Sequence, residues 1–222
     1  MKKRIKTNGI LAGLGIVTYI ALLILAPSHY SPVLNKALVS LAFSFFLIGM
    51  FLRIVGRAYK LEHSKEGNAL VRDGLYAAVR NPMYLGSFLT GVAFTFLLGN
   101  PWIIIIFIIV FFLRFQPQVR TEEKILLERF GEVYQEYLSS VPRFIPKINK
   151  IFKKEFKKYF NIKNFPWIKK ELWTAFGWLV LFLLIAFLKD LRHYDLTEYL
   201  WELIIFAVIV VIFLFFISYA KD

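Results

Sequence analysis

Two short stretches hold the residues whose types and spacing suit chemistry. One is Arg80-Asn81-Pro82-Met83-Tyr84-Leu85-Gly86, the other Arg120-Thr121-Glu122-Glu123. A residue before proline avoids helical angles, and proline is favoured at the first helical position. A helix is therefore expected to begin at Pro82 with Asn81 as its N-cap. The unpaired N–H groups of such a start attract anions, for example a ligand carboxylate. Tyr84 then stands one turn in, and Gly86, without a Cβ, lets another backbone or a ligand come close. An ordinary capped membrane helix whose Arg80 reaches back to the interface accounts for the same residues. The adjacent carboxylates Glu122 and Glu123 can hold a cationic ligand, whereas the plain alternative is a helix capped by Thr121 with acids in its first turn. Upstream, Gly74 permits a turn and Tyr76 offers a ring to lie over a planar group. Arg53 and Arg57, four residues apart, read as anchors that reach to the interface from the inner end of an apolar segment.

The elements that must position these residues are apolar helices. Of the 222 residues, 58% are hydrophobic, and apolar runs of membrane-spanning length recur along the chain. The expected fold class is all-α, a polytopic integral membrane helical bundle of about six transmembrane helices. The spans are expected near residues 9–26, 36–56, 82–98, 101–115, 172–188 and 199–219. The third and fourth are short and joined only by Gly99-Asn100-Pro101, as a helical hairpin. An amphipathic, charged helix is expected over about 121–140, with Leu126, Phe130, Val133, Tyr134 and Tyr137 on one face and Pro142 and Pro146 ending it. The organisation expected is an N-terminal transmembrane hairpin (1–56), a core carrying the motifs, the short hairpin and the charged helix (57–146), a basic interfacial linker (147–171) and a C-terminal transmembrane hairpin (172–222). The first apolar run follows four basic residues and is expected to be a retained anchor rather than a cleaved signal peptide.

The net charge of +13 raises the question of nucleic acid, and its distribution answers it. With the N-terminus placed in the cytoplasm, 24 of the 28 Lys and Arg fall on inner segments and 3 on outer loops. That is the positive-inside bias of a six-span protein with both termini cytoplasmic. No nucleic-acid partner is needed to explain it. The membrane would be the plasma membrane in a prokaryote or the endoplasmic reticulum in a eukaryote, and membrane lipids are the expected partners. With no cysteine, disulfides, iron–sulfur clusters and thiolate zinc sites are excluded. The three histidines, His29, His63 and His193, are far apart in sequence, so no metal site is expected. Gly13-Leu14-Gly15 lies in an apolar run with no strand before it, and is not a dinucleotide fingerprint.

In order and spacing the motifs are more specific than any one alone. G-x-Y-x-x-x-R-N-P-x-Y-x-G over 74–86 is followed by the Gly-Asn-Pro turn, then E-E-x-x-L, F-G-x-x-Y-x-x-Y and V-P-R-x-I-P. This series resembles the isoprenylcysteine carboxyl methyltransferase and phospholipid methyltransferase superfamily, over about residues 68–146. The resemblance implies a membrane enzyme, an S-adenosylmethionine-dependent methyltransferase with a cytoplasmic cofactor pocket and no Rossmann domain. Its substrate would be lipid-like, an isoprenoid carboxylate or a phospholipid amine. It further implies that Asn68, Ala69, Leu70 and Val71 border the cofactor. Tyr76, Asn81, Met83 and Tyr84 contact it, Pro82 and Gly86 shape the turn, and Glu122 faces it beside Glu123. Glu123 and Arg120 are the candidates for a catalytic role, Glu123 as a base for an amine.

Two departures from the family pattern stand out. Asn81 replaces a frequent histidine, which removes a titratable base from that position. Gln118 stands where prenylcysteine enzymes tend to carry an arginine, which weakens the reading of a prenylcysteine carboxylate as substrate. Two other functions remain open on the sequence: a non-catalytic membrane lipid-binding or assembly protein on the same scaffold, and an NADPH-dependent membrane reductase.

Overall fold

The computed structural model describes residues 31–64, 67–147 and 168–190, and every regular element among them is helical. We label these α1 (Pro32–His63), α2 (Leu75–Ala78), α3 (Pro82–Leu98), α4 (Pro101–Ser140) and α5 (Ile168–Asp190). α1 and α4 are long and apolar enough to cross a membrane, while α3 and the Leu172–Phe187 part of α5 are shorter apolar helices. The spans expected at 9–26 and 199–219, and most of the basic linker, lie outside the described residues.

Local signals explain most boundaries. Ser31 caps α1 by accepting from the Leu34 N–H, with Pro32 in the first turn. The expected hairpin turn is present. Gly99 takes the left-handed conformation (φ 65°) that ends α3. The Asn100 side chain then accepts from the Trp102 N–H at 2.9 Å, and Pro101 opens α4.

Two expectations about α4 are corrected. The span at 101–115 runs without a break into the charged helix expected at 121–140, as far as Gly131, so Thr121 is not a cap. Pro117 does not break the helix, and the Thr121 hydroxyl donates to the Pro117 carbonyl at 2.9 Å. The interruption comes at Gly131, whose φ of 52° only glycine adopts without strain. This break changes the phase of the last turns. Tyr134 and Tyr137 therefore turn inward onto Val141, with Leu70, Leu126 and Phe130 packed against them, whereas Val133 faces outward.

α1 and α3 form the tightest pair. A Cβ placed on Gly86 would stand 2.5 Å from the Gly49 carbonyl oxygen, and one on Gly49 would stand 2.7 Å from the Gly86 carbonyl oxygen. Two helix backbones approach this closely only through small residues. Arg53, expected to be a plain interfacial anchor, instead reaches across this contact and donates to the Ser87 hydroxyl. Beyond it, Ala42, Phe46 and Met50 of α1 meet Ala93 and Leu97 of α3 and Phe182 and Ile185 of α5. Phe46 and Phe182 lie 4.8 Å apart in a tilted ring pair.

α3 and α4 meet through aromatic rings: Phe88 against Phe107 and Phe111, and Tyr84 against Phe115 at 5.6 Å. The opposite face of α4 exposes Trp102, Ile106 and Leu113, the apolar exterior that a helix in lipid presents. The helices thus bring two polar ends together, the start of α3 and the stretch of α4 around Glu122.

Candidate functional site

A cavity opens where these ends meet. The last turn of α1 contributes Lys60 and the residue after it, Ser64. The loop contributes Gly67, Ala69, Leu70 and Val71, and α2 contributes Tyr76. The start of α3 adds Arg80, Asn81, Pro82, Met83 and Tyr84, and α4 adds Glu122, Glu123, Leu126, Arg129, Tyr134 and Tyr137. Ten of the residues expected in the site are therefore together: Ala69, Leu70, Val71, Tyr76, Asn81, Pro82, Met83, Tyr84, Glu122 and Glu123. Asn68 and Arg120 are not among them, and both side chains are exposed.

The loop wall is fixed by local hydrogen bonds. The Ser64 hydroxyl donates to the Ala69 carbonyl at 2.5 Å, and the Arg129 guanidinium donates to the Gly67 carbonyl at 2.8 Å. Gly74 adopts φ 59° against the ring of Tyr59, the turn that its residue type implied. This places Tyr76 under the cavity. Its hydroxyl donates to the Gly56 carbonyl of α1 at 3.2 Å, and its own carbonyl accepts from the Tyr137 hydroxyl at 2.7 Å. Burial, and secondly the negative charge of Glu122, push the Tyr76 phenol well above its ordinary range. Tyr76 is therefore a neutral phenol with its hydroxyl committed, and it has only its ring left to offer a ligand.

The α3 start is an open helix end. Asn81 stands at the N-cap position, and its carbonyl accepts the first bond of the helix, from Leu85 N–H at 3.0 Å. The expected side-chain cap is not made. The Asn81 amide points the other way and donates to the Arg143 carbonyl at 3.5 Å. The N–H groups of Met83 and Tyr84 thus lack a side-chain cap at a helix end that attracts negative charge.

The two glutamates have opposite surroundings. Glu122 accepts from the Tyr84 hydroxyl at 2.6 Å and from the Gln118 amide at 3.4 Å, both neutral donors. Glu123 is buried between two guanidinium groups. Arg143 donates to both of its oxygens, from Nε to Oε1 at 3.0 Å and from Nη2 to Oε2, and Arg80 Nη2 lies 3.5 Å from Oε1. Two parallel bonds of this kind fix orientation as well as charge.

Arg80 and Arg143 are the residues that sequence reasoning missed. Arg80, expected as an interfacial anchor, turns inward with its side chain 11% exposed and donates from Nη1 to the Leu138 carbonyl at 3.1 Å. The signal for Arg143 was its fixed place in V-P-R-x-I-P, downstream of the glutamate pair. Chemically the cavity combines an anion-attracting helix end, a carboxylate free of any cationic partner among the described residues, and apolar surface from Leu70, Val71, Leu126 and the Tyr76 ring. No group of His, Asp or Glu suited to a metal ion occurs among the described residues.

Among the described residues, then, every regular element is helical, two helices are of membrane-spanning length, and the cavity lies between the hairpin and the charged part of α4. Residues 36–133, which hold most of α1, the hairpin turn and both glutamates, match the phospholipid methyltransferase family. Over this stretch, 98 of the 222 residues, the chain is similar to the isoprenylcysteine carboxyl methyltransferase and phospholipid methyltransferase superfamily. It is 34% identical over 115 residues to a protein-S-isoprenylcysteine O-methyltransferase of Schizosaccharomyces pombe, covering 48% of this chain and 49% of that one. With the Saccharomyces cerevisiae protein of the same name it shares 41% over 81 residues, 36% of this chain and 34% of that one. With protein-S-isoprenylcysteine O-methyltransferase B of Arabidopsis thaliana it shares 34% over 85 residues, 38% and 43% of the two chains. The aligned part thus spans about half or less of these relatives' lengths. No solved structure matches the chain significantly.

Proposed function

We propose that this protein is an integral membrane methyltransferase that takes its methyl group from S-adenosylmethionine and passes it to a lipid-like acceptor, an isoprenoid carboxylate or a phospholipid amine. The observation that carries this reading is the pairing, in one cavity, of an uncapped helix start with a carboxylate held only by neutral donors. The methyl donor has the complementary groups: a carboxylate, an ammonium, a sulfonium and a flat base. The named relatives, all O-methyltransferases of isoprenylcysteine, support the same activity.

The residues present fit the donor. The N–H groups at the start of α3 would hold its carboxylate. Glu122 would balance its positive charge, and Leu70, Val71, Leu126 and the Tyr76 ring would cover its base. When bound, the donor supplies an electrophilic methyl on a positively charged sulfur. The protein's own part is then alignment and exclusion of water rather than covalent chemistry. Tyr84 orients Glu122 through its hydroxyl, with the ring of Phe115, and Phe111 beyond it, packed behind the Tyr84 ring. Glu123 has its oxygens engaged by two arginines, which leaves it badly placed to meet an amine. We assign it to holding the site together. Arg120, exposed and outside the cavity, has no part in this scheme.

The test is to incubate membranes containing the protein with methyl-labelled donor and ask whether label enters lipid, protein or a base-labile methyl ester. Glu122→Gln and Tyr84→Ala are each expected to weaken donor binding about tenfold or more, the scale of a lost charge-assisted contact. If both variants bind S-adenosylmethionine as the parent does, the donor site lies elsewhere.

A further inference from the structure

The segment that follows α4, residues 141–147, runs as a strap across the start of α3. The Arg80 N–H donates to the Pro142 carbonyl, and the Lys147 N–H donates to the Ala78 carbonyl, each at 2.9 Å. From this strap the Arg143 guanidinium reaches Glu123 on α4, while the Arg143 carbonyl takes the amide of Asn81 at the head of α3. Arg143 does not line the cavity. We propose that Arg143 is a positioning residue for the methyl donor, holding the start of α3 open and in register with Glu122. The proposal rests on the donor site described under the proposed function.

At the level of the cavity two side-chain links join the charged walls: Arg80 to Glu123, a single contact at 3.5 Å, and Tyr84 to Glu122, whose acceptor is the carboxylate that a bound cation must share. The Tyr84 link cannot set the spacing of the walls on its own. The route Asn81, Arg143, Glu123 does not depend on the shared oxygen. It ends on a residue adjacent to Glu122 and on the residue that begins α3. Both ends are held, one by a two-point charge-assisted bond and the other by the strap's backbone. The second consequence concerns the cap. Asparagine ordinarily caps a helix by turning its side chain onto the first N–H groups. Here the side chain lies toward the Arg143 carbonyl, at 3.5 Å, and makes no cap, so those groups face the cavity without an internal competitor. Loss of Arg143 would therefore loosen the wall and allow Asn81 to close the helix end.

A purely structural role would lower stability without a specific effect on the donor, so the test reads both. The full chain in lipid nanodiscs is titrated with S-adenosylhomocysteine, and its melting temperature is measured alongside. Arg143→Lys keeps the charge but loses the planar fork. It is expected to weaken binding about tenfold, the effect of one charge-assisted hydrogen bond, with melting close to the parent's. Glu123→Gln should weaken binding similarly, and the double variant Glu123→Gln/Arg143→Gln no more than either change alone, because both act through one link. Because Glu123→Gln and the double variant both leave Arg80 without its carboxylate, their melting temperatures are read first, and Arg143→Lys, which keeps every charge of the cluster, is the deciding variant. Parent-like binding by Arg143→Lys, or fully additive losses, would overturn the proposal. Hydrogen exchange of the unliganded chain separates it from the donor reading. A parent that binds no S-adenosylhomocysteine sinks that reading, yet Arg143→Lys must still speed exchange at Met83–Leu85. Unchanged exchange there overturns the role given to Arg143.

Discussion

Gly86→Ala is the substitution whose effect the packing specifies most directly. A Cβ at this position would stand 2.5 Å from the Gly49 carbonyl oxygen, 2.8 Å from Arg53 Cγ and 2.9 Å from the Arg53 backbone nitrogen. Ordinary contact begins at 3.4 Å, so the carbonyl must recede by about 0.9 Å. Two of the three obstructing atoms belong to the backbone of α1, and no side-chain rotation relieves them. The two helices must separate, which breaks or lengthens the bond from Arg53 to Ser87. Overpacking of this kind costs about 1–3 kcal/mol, and at this chain length each kcal/mol lowers the melting temperature by about 2–4 °C.

The functional cost should exceed the thermal one. α3 carries Met83 and Tyr84, and a displacement of about 1 Å can cost two orders of magnitude in rate when alignment is the protein's main contribution. Melting temperature in nanodiscs and turnover of labelled donor are the paired measurements. Gly177→Ala in α5 is the control, because its Cβ would meet nothing within 4 Å. It should be neutral or raise stability by about 0.5–1 kcal/mol through helix propensity. If Gly86→Ala melts and turns over like Gly177→Ala, then α1 and α3 are not in the contact described and the start of α3 is not positioned by α1.

Two further outcomes follow from the site. Asn81→Asp should cap α3 with its own carboxylate. It is expected to raise stability by about 0.5–2 kcal/mol, the usual worth of a cap, while weakening donor binding measured by calorimetry. Tighter donor binding by this variant would contradict an anion-accepting helix end. Arg120→Ala should leave both donor affinity and turnover near the parent's, since the side chain is exposed and outside the cavity. A large loss in either would return Arg120 to the site.

The sequence by itself determined the helical class, the hairpin at Gly99-Asn100-Pro101, the start of α3 at Pro82 and ten of the cavity's residues. The first three depend on local rules, namely proline geometry, a turn glycine and apolar periodicity, whereas the cavity residues as a set came from the resemblance of the motif series to a known family. It could not decide how side chains divide their partners. Whether Thr121 caps a helix or sits within one depends on Pro117 being absorbed by α4, and the direction of Val133 depends on the phase lost at Gly131. Asn81 carries the side chain of a cap, but in the fold it lies toward the strap at 141–147 and makes none. Glu122 and Glu123 are identical in chemistry and adjacent in sequence. The tertiary structure alone makes one a carboxylate with neutral partners and the other the centre of an ion cluster, because Arg143 arrives from 20 residues downstream and Arg80 from 43 residues upstream. Charge pairing acts through space, so which acid keeps its charge for a ligand is settled only when the chain has folded.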